Sequence, residues 1–367
     1  MEKRGIKVLI MAAGTGGHVF PALSIAEEFA GRGVTVEWLG TPKGMENRIL
    51  QGTDISLHRI SVKGLRGSGL LRLLFAPLML ISAFIESFRV LGKTRPDLVL
   101  GMGGFVCGPA GLACRLRRIP LCLHEQNAVP GLTNKLLAPL AAKVFEAFPD
   151  TFNSRSRVMF TGNPLRSAFR PAPRKKTDRS STAYVLRVLV LGGSQGATAI
   201  NEVIPRLISQ YSDSMPLETM HQVGDRHIES TEAHYREQGV EIDTAHRLVP
   251  FIDDMAGAYA WADIVVCRSG ASTVSEVAAV GCPAIFVPYP HHKDQQQKLN
   301  AQWLVEEGAG LLLEQANLSA ENLAAEMGKL AGDRQKLEKM SASARSMSML
   351  DASEKIVDAC LEVIDVS

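Results

Sequence analysis

The chain has 367 residues, a length that usually corresponds to about two domains. Its formal net charge is +2, with 46% hydrophobic and 6% aromatic residues. This composition fits a soluble globular α/β protein and argues against a disordered or fibrous one, and no nucleic-acid partner is expected.

The small net charge is unevenly distributed along the chain. Residues 1–166 carry nearly twice as many Lys and Arg as Asp and Glu, whereas the remainder is acidic. We expect the first part to meet an anionic partner, unless the asymmetry only serves surface solubility. The six cysteines form no CxxC pair and most lie in apolar contexts, as in a reducing compartment. The N-terminal apolar run is too short for a signal peptide, so export is not expected.

The first element is a glycine-rich turn between a strand and a helix. Residues 6–12 form a continuous apolar run, which predicts a strand buried on both faces. The turn that follows contains Gly14, Thr15, Gly16, Gly17 and His18. Position 19 is Val rather than the Gly of a dinucleotide fingerprint, and the Gly-Lys-Ser/Thr of a P-loop is absent. The turn therefore predicts a general anion-binding site in front of a helix that reaches Arg32.

His18 is the residue of this turn with the most chemical potential. A histidine between glycines at a helix start is poorly placed for core packing, and its pKa range suits proton transfer near neutral pH. Two roles stay open at this point. His18 is either a general base or a helix-capping and phosphate-binding residue without proton transfer.

An apolar stretch lies between residues 73 and 85. It contains Pro77 and is shorter than the roughly 18 residues needed to span a bilayer. Glu86 is the one acidic residue among the flanking basic residues Lys63, Arg66, Arg72, Arg89, Lys93 and Arg95. The stretch is either an ordinary buried helix or a helix whose apolar side faces lipid beside a basic collar.

Two further strand ends carry polar or glycine residues. Residues 97–100 predict a strand that is followed by Gly103 and Gly104, and residues 120–123 predict one that is followed by His124, Glu125 and Asn127. In a doubly wound sheet, binding residues collect at the carboxyl ends of the strands. We therefore expect these residues to converge with the first turn. The alternative for His124 and Glu125 is a structural role, in which they hold the strand ends together.

The strand–turn–helix pattern restarts after a polar segment. Residues 170–184 are rich in Pro, Ser and charge, which is typical of a linker. Residues 187–191 then predict a strand, followed by a glycine-rich turn that contains Ser194. The prediction is an α/β protein with two Rossmann-like domains facing across a cleft. The first domain comprises residues 1–166 with the acidic helix of 350–367 packed on it, and the second comprises residues 167–349.

The segment from Cys267 to Gln297, CRSGASTVSEVAAVGCPAIFVPYPHHKDQQQ, contains the strongest functional signal. It predicts a strand, a small-residue turn over 271–273, a helix over 273–279, a second strand and a polar loop. Free N–H groups at the helix start suit a phosphate. Glu276 and the loop glutamines suit sugar hydroxyls. The order of these groups favours a nucleotide-sugar site over a capped helix followed by a plain surface loop, while Arg268 fits a structural or an electrostatic role.

This segment resembles the donor-binding segment of the bacterial transferases that add N-acetylglucosamine to the lipid-linked precursor of peptidoglycan, and the resemblance extends over nearly the whole chain. It implies a GT-B type fold and an inverting transfer reaction that needs no metal ion or other cofactor. Asp253-Asp254 is not a DxD motif, the motif of metal-dependent nucleotide-sugar transferases. In the family pattern a Gly precedes Gly14, where this chain has Ala13. We expect Ala13 to narrow backbone freedom.

The resemblance also implies ligand contacts. Donor contacts fall on Thr15, Gly16, Gly17, Arg166, Ser194, Ile252, Ala271, Ser272, Thr273, Val274, Ser275, Glu276, Gln296 and Gln297. Acceptor or shared contacts fall on Gly14, Gly103, Gly104 and Asn127, with His18 as the candidate base. Ile252 is expected to bind uracil through its backbone, Glu276 the ribose, Ser194 and the 271–273 turn the diphosphate, and Gln296 the sugar.

The substrates implied are UDP-N-acetylglucosamine and undecaprenyl-pyrophosphoryl-N-acetylmuramyl-pentapeptide, with an anionic phospholipid surface and other cell-wall synthesis proteins as partners. The implied location is peripheral, on the cytoplasmic face of the inner membrane. Two alternatives stay open, a UDP-sugar 2-epimerase of the same fold and a non-catalytic UDP-sugar-binding protein.

Overall fold

The computed structural model describes residues 5–62, 76–152, 157–169, 185–193, 196–292 and 294–366. The chain divides into two compact units. Unit 1 comprises Met1–Ser167 and Met349–Ser367, and unit 2 comprises Ala168–Ser348. Each unit contains one parallel sheet with helices packed on it, so the predicted α/β fold with two Rossmann-like domains is confirmed. The predicted linker over 170–184 lies outside the described residues.

Unit 1 contains a seven-stranded sheet in the order β3-β2-β1-β4-β5-β6-β7. Its strands are β1 (Lys7–Met11), β2 (Thr35–Gly40), β3 (Ser56–Arg59), β4 (Leu98–Gly101), β5 (Leu121–Glu125), β6 (Lys143–Glu146) and β7 (Val158–Phe160). Its helices are α1 (Gly16–Gly31), α2 (Glu46–Ile49), α3 (Ala76–Thr94), α4 (Cys107–Arg117), α5 (Leu132–Leu137) and the C-terminal helix described below.

Unit 2 contains a six-stranded sheet in the order β10-β9-β8-β11-β12-β13. Its strands are β8 (Leu186–Leu191), β9 (Leu217–Gln222), β10 (His246–Val249), β11 (Ile264–Cys267), β12 (Ala284–Phe286) and β13 (Gly310–Leu312). Its helices are α6 (Thr198–Tyr211), α7 (Ile228–Glu237), α8 (Met255–Trp261), α9 (Ala271–Val280), α10 (Gln296–Val305), α11 (Ala320–Ala331) and α12 (Arg334–Ser346).

The central strands are buried on both faces, as continuous apolar runs predict. In β1, residues 8–11 are fully buried, and alternate side chains enter two separate apolar clusters on opposite faces of the sheet. Strand β11 is likewise buried along its whole length. All six cysteines are buried and none forms a disulfide bond.

Several helices begin earlier than the sequence pattern predicts. The helix predicted over 273–279 begins at Ala271, with Gly270 as its N-cap, so the expected turn over 271–273 is the helix's own first turn. Gln296 and Gln297 belong to the first turn of α10 rather than to the preceding loop. Small and polar residues occur both in turns and in the first turn of a helix, where the backbone N–H groups have no acceptor within the helix.

The last helix, α13 (Ala352–Val366), belongs to unit 1 although 181 residues of unit 2 precede it in the chain. It packs on α1 and contributes Ile356, Val357, Ala359 and Cys360 to the apolar cluster beneath β1. Two ion pairs join it to the basic unit, Arg32 with Asp358 and Lys143 with Glu362. These exposed pairs add little stability, so the buried apolar side chains hold the helix in place.

Val357→Ala should destabilise unit 1 by about 2 kcal/mol, because it removes buried methyl groups and leaves a cavity. Val366→Ala makes the same change on the same helix at a position that is 89% exposed, and should alter stability by less than about 0.5 kcal/mol. Urea unfolding followed by fluorescence of Trp38, which is buried in unit 1, would measure both in a background with Trp261 and Trp303 replaced by Phe. Equal effects would contradict the packing of α13.

Candidate functional site

The carboxyl ends of three adjacent strands bring the predicted residues of unit 1 together. Strand β4 pairs with β1 on one side and with β5 on the other, so Met11, Gly101 and Leu123 lie in one row. The turns that follow these residues therefore share one edge of the sheet. This edge holds Gly14–His18, Gly103 with Gly104, and His124–Asn127, as the convergence of strand ends predicts. The structure differs in that His124 and Glu125 are the last residues of β5 rather than following it, and Gly16–His18 already belong to α1.

Glu46 anchors the turn at Gly14 through its carboxylate, although the sequence pattern did not identify this residue. Its carboxylate is fully buried. One oxygen accepts the Gly14 N–H at 3.2 Å, and the other accepts the Thr41 N–H at 2.7 Å and the Thr41 hydroxyl at 2.9 Å. A carboxylate with this many donors anchors the backbone strongly. Only the close approach of α2 to the turn, which has no local sequence signature, could have revealed this role.

Ala13 does not strain the turn. Gly14 has a φ of +102°, a conformation that favours glycine, whereas Ala13 is outside the left-handed region. The expectation that alanine narrows backbone freedom therefore has no consequence for the conformation seen here. Arg166 lies nearby, with its guanidinium 5.0 Å from the centre of the Phe20 ring on α1.

The second glycine turn is shaped around His18. Gly103 and Gly104 have φ values of +87° and +82°. A Cβ on Gly103 would lie 3.2 Å from Cε1 of His18, and one on Gly104 would lie 3.3 Å from the Ala13 carbonyl. Position 103 therefore requires glycine for two reasons, its positive φ and the close approach of the His18 imidazole.

His18 is the first member of a buried hydrogen-bond chain. Its Nδ1 lies 2.7 Å from Oε1 of Gln126, and Nε2 of Gln126 lies 3.0 Å from Nδ1 of His124. The chain ends where Nε2 of His124 meets the Gly162 carbonyl at 3.1 Å. Complete burial lowers the pKa of His124 to about 4, so this imidazole is neutral at physiological pH.

Glu125 is a structural residue by its contacts. One of its carboxylate oxygens accepts the backbone and side-chain N–H groups of Asn127, both at 3.1 Å. The other accepts the Gly131 N–H at 3.0 Å and the Asn134 amide at 2.9 Å. These bonds hold the β5 turn against α5 and orient the Asn127 side chain at the strand edge. Buried Oδ1 of Asn134 has no hydrogen-bond partner within the described residues.

In unit 2, the start of α9 forms an anion-binding geometry after β11. Gly270 is the N-cap, and the first turn contains Ala271, Ser272 and Thr273. Because a helix cannot satisfy the N–H groups of its own first turn, they are available to a ligand, and the helix dipole favours negative charge there. The Ser272 hydroxyl is buried and has no partner within the described part of the chain.

Two other residues assigned to this segment support the helix itself. Val274 is fully buried and its N–H donates to the Gly270 carbonyl at 3.0 Å. The Ser275 hydroxyl donates to the Ala271 carbonyl, also at 3.0 Å. These bonds fix the helix start, and the donor contacts assigned to Val274 and Ser275 stay predictions.

Glu276 is half-buried one and a half turns into α9. It accepts a hydrogen bond from the Tyr259 hydroxyl at 3.3 Å. Burial, together with the nearby Glu276 carboxylate, raises the pKa of Tyr259 well above its usual value, so the phenol keeps its proton. Ile252 is buried just before α8, whose N-terminus is capped by Asp254 accepting from the Gly257 N–H at 2.9 Å.

The segment after β12 carries Gln296 and Gln297 at the start of α10. The Gln297 side chain accepts the Tyr289 N–H at 2.9 Å, and Asn300 donates to the Ser269 carbonyl at 3.2 Å. Arg268 donates to the carbonyls of residues 287 and 288 and to Gln315 at 2.6 Å. Burial lowers the pKa of Arg268. These contacts give Arg268 a structural role. Together with the Asn300 bond, they connect the residues after β11 to the segment after β12.

The glycine turn of unit 2 precedes α6. A Cβ on Gly196 would lie 2.6 Å from the Val223 carbonyl, so the turn packs tightly on the end of β9. Ser194 lies outside the described residues. Beneath the turn, buried His221 contacts the Tyr235 hydroxyl at 3.1 Å and Oδ1 of Asn201 at 3.2 Å. Burial lowers the pKa of His221 to about 3.

No cluster of three or more His, Cys, Asp or Glu side chains that could hold a metal ion occurs within the described residues. No described helix is both long and apolar enough to cross a bilayer.

Comparisons with known proteins identify relatives of both units. The family model "Glycosyltransferase family 28 N-terminal domain" matches residues 8–146, and "Glycosyltransferase family 28 C-terminal domain" matches residues 187–356. The chain is 50% identical over 360 residues to the UDP-N-acetylglucosamine–N-acetylmuramyl-(pentapeptide) pyrophosphoryl-undecaprenol N-acetylglucosamine transferase of Azotobacter vinelandii, which covers 98% of this chain and 99% of the relative.

Solved structures agree with this similarity. The crystal structure of Acinetobacter baumannii MurG has a TM-score of 0.79 and 38% identity, and the match covers 97% of this chain and 99% of that one. A UDP-GlcNAc 2-epimerase from Neisseria meningitidis has a TM-score of 0.68 over 97% of this chain and 100% of that one. At 16% identity, the epimerase shows a shared fold alone.

The free energy of unfolding of unit 2 should fall as pH decreases below about 6.5, because His221 binds a proton when unfolded but stays neutral when folded. The expected slope is about 1.4 kcal/mol per pH unit for this group, continuing toward its folded pKa of about 3. Urea titrations at several pH values, followed by the fluorescence of Trp261 and Trp303, would measure it. His221→Asn should lose this part of the slope, whereas His234→Asn, at a partly exposed position of α7, should keep it. Equal slopes in both variants would contradict the buried neutral imidazole.

Proposed function

We propose that this chain, which belongs to the family of UDP-N-acetylglucosamine–N-acetylmuramyl-(pentapeptide) pyrophosphoryl-undecaprenol N-acetylglucosamine transferases within glycosyltransferase family 28, catalyses that transfer. It moves N-acetylglucosamine from UDP-N-acetylglucosamine to the C4 hydroxyl of undecaprenyl-pyrophosphoryl-N-acetylmuramyl-pentapeptide. The observation that carries the proposal is the 50% identity to such a transferase over almost the full length of both chains.

Unit 2 holds the donor nucleotide-sugar in this proposal. The first turn of α9, at Ala271–Thr273, binds the diphosphate through its N–H groups, supported by the Ser272 hydroxyl, which has no hydrogen-bond partner among the residues that the structure describes. Glu276 accepts from the ribose hydroxyls while the Tyr259 hydroxyl orients its carboxylate. Ile252 pairs with uracil through its backbone, and Gln296 binds the sugar. Ser194 is the further diphosphate contact that the family pattern assigns.

Unit 1 holds the acceptor in this proposal. The Gly14 turn, anchored by Glu46, and the Gly103–Gly104 turn lie at one strand edge, where backbone N–H groups suit a pyrophosphate. Asn127 contributes a further contact beside them. Thr15, Gly16, Gly17 and Arg166 are further donor contacts that the family pattern assigns.

His18 acts as the general base in the reaction. It accepts the proton of the C4 hydroxyl as that oxygen forms a bond to the anomeric carbon of the donor. The bond from this carbon to the diphosphate oxygen breaks at the same time, and UDP leaves with the electron pair. Attack from the face opposite the leaving group inverts the anomeric configuration and gives a β-linked disaccharide.

The leaving diphosphate acquires charge at the start of α9. Preorganised N–H groups and the helix dipole stabilise such charge as it develops. We therefore propose that transfer proceeds without a bound metal ion or other cofactor.

A transfer assay tests this proposal, with purified protein, radiolabelled UDP-N-acetylglucosamine and a lipid-linked muramyl-pentapeptide analogue, in chelator. Label should move to the lipid product. His18→Ala should lower the transfer rate by about 10²–10⁴-fold, the usual contribution of a general base, while binding of UDP-N-acetylglucosamine is retained.

Other outcomes would support the alternatives. Isomerisation of the free nucleotide-sugar without label in the lipid would identify a 2-epimerase. Binding of UDP-N-acetylglucosamine without any turnover in the native protein would identify a non-catalytic binding protein. Transfer that stops in chelator and recovers with a divalent cation would contradict metal independence alone.

We further propose that unit 1 docks on an anionic membrane surface at the cytoplasmic face of the inner membrane. Helix α3 packs against α4 and α4 against α5, and each helix leaves large apolar side chains exposed. These are Leu78, Leu80, Ile81 and Ile85 on α3, Leu112 and Leu116 on α4, and Leu132 and Leu136 on α5. Exposed cations accompany them at Arg89, Lys93, Arg115 and Lys135.

Of the two interpretations of the 73–85 stretch, the exposure of α3 supports the lipid-facing one. Grouped exposed leucines mark an interaction surface, and interfacial helices combine such a face with basic residues. Residues 73–75 and the basic residues Lys63, Arg66 and Arg72 lie outside the described residues. Other cell-wall synthesis proteins are expected to gather on the same membrane.

Ile81→Ser should weaken binding to phosphatidylglycerol vesicles by about tenfold, because insertion of an isoleucine side chain contributes roughly 1.5 kcal/mol. Ile242→Ser makes the same substitution at an exposed site of unit 2 and should leave vesicle binding unchanged. Cosedimentation measures both, and phosphatidylcholine vesicles should bind both variants and the native protein weakly. Equal binding of Ile81→Ser and Ile242→Ser would contradict this docking face.

A further inference from the structure

We propose that Gln126 and His124 are positioning residues that fix the tautomer of His18, so that Nδ1 carries the proton and Nε2 carries the lone pair. This inference rests on the proposed role of His18 as the base, and it deepens that role by identifying which ring nitrogen does the chemistry. It follows from the order of donors and acceptors along one buried chain.

A backbone carbonyl fixes the far end of this hydrogen-bond chain, at His124. A carbonyl oxygen only accepts, so Nε2 of His124, 3.1 Å from the Gly162 oxygen, must carry a proton. His124 is fully buried, and burial holds its pKa near 4, so the ring carries no second proton. Nδ1 of His124 is therefore an acceptor.

The amide of Gln126 is oriented by that acceptor. The atom 3.0 Å from Nδ1 of His124 has to donate, so it is the NH₂ group of Gln126. The same NH₂ group lies 3.4 Å from the His124 carbonyl oxygen, and the opposite orientation of the amide would face oxygen with oxygen. Gln126 is 1% exposed, so water does not compete for these bonds.

The orientation of Gln126 then decides the state of His18. Oε1 of Gln126 lies 2.7 Å from Nδ1 of His18, and an acceptor at that distance requires an N–H. In the neutral imidazole the proton therefore sits on Nδ1 and the lone pair on Nε2. Nε2 of His18 has no hydrogen-bond partner among the described residues, and the ring is half-buried at the strand edge.

The tautomer matters because only the nitrogen with the lone pair accepts a proton. An unrestrained imidazole favours the opposite tautomer, with the proton on Nε2. If Gln126 did not accept from Nδ1, His18 would present an N–H to the substrate hydroxyl for much of the time. A buried carboxylate serves the same purpose in serine proteases, where loss of the correct tautomer lowers kcat by about 10⁴-fold. Here a neutral amide and a second histidine take that place.

The direct test is the tautomer of His18 in the native protein without substrates. Histidine labelled with ¹⁵N and long-range ¹H–¹⁵N correlation spectra distinguish protonated from unprotonated ring nitrogens, and His18→Ala assigns the His18 signals. We expect a protonated Nδ1 and an unprotonated Nε2. A protonated Nε2 in the native protein would overturn the inference without any variant.

Variants of Gln126 test the cause. Gln126→Met removes the acceptor and should shift His18 towards the Nε2–H tautomer, with transfer slowed at least about tenfold, up to the roughly 10²–10⁴-fold contribution of a general base. Gln126→Glu keeps an acceptor facing His18 and should retain the Nδ1–H tautomer. Gln210→Met is the matched control at an exposed position of α6 and should change neither spectrum nor rate.

The spectra separate this inference from the proposed reaction. An unchanged His18 tautomer in a folded Gln126→Met protein would overturn the positioning role of Gln126 and His124, whatever the transfer rate. Full transfer activity in His18→Ala would overturn the role of His18 as the base. The positioning by Gln126 and His124 would then have no catalytic effect, even if the Nδ1–H tautomer is observed. The predicted tautomer, lost in Gln126→Met together with rate, would support both.

Discussion

The first N–H groups of every helix have no acceptor within that helix, and this constraint organises both units. In a parallel sheet the helix that follows a strand begins at the strand's carboxyl end. Helices α1 and α9 therefore present their starts at a sheet edge, after β1 and after β11. The two places where an anion is best accommodated follow from backbone geometry before any side chain is considered.

Buried polar side chains convert these backbone edges into defined sites. Glu46 anchors the Gly14 turn, Glu125 anchors the Asn127 turn, and Gln126 joins the second of these to His18. In unit 2, Asn300 on α10 donates to the carbonyl of Ser269, the residue before the N-cap of α9. Each such group is buried and hydrogen-bonded, so its bonds offset the cost of its desolvation and restrict the turn to one conformation.

The sequence predicted those features that have a local cause, and the family it resembles is confirmed by the relative at 50% identity. Apolar runs followed by glycine located β1, β4, β8 and β11 because a doubly buried strand has few other patterns. Strands β3 (SLHR) and β6 (KVFE) were missed because polar and charged residues interrupt the apolar run. Glu46 and Gln126 could not be predicted, since their partners lie 32 and 108 residues away in the chain. Which residues contact each substrate stays a prediction.

Helix α13 gives the chain an unusual order of completion during synthesis. The apolar cluster beneath β1 includes Ile356 and Cys360, so unit 1 lacks part of its core until these residues leave the ribosome. Unit 2, which ends at Ser348, has its whole sequence available earlier. The domain whose translation begins first is therefore completed after unit 2. A nascent chain from which α13 has not yet emerged would contain the whole of unit 2, while its unit 1 would still expose the surface that α13 covers.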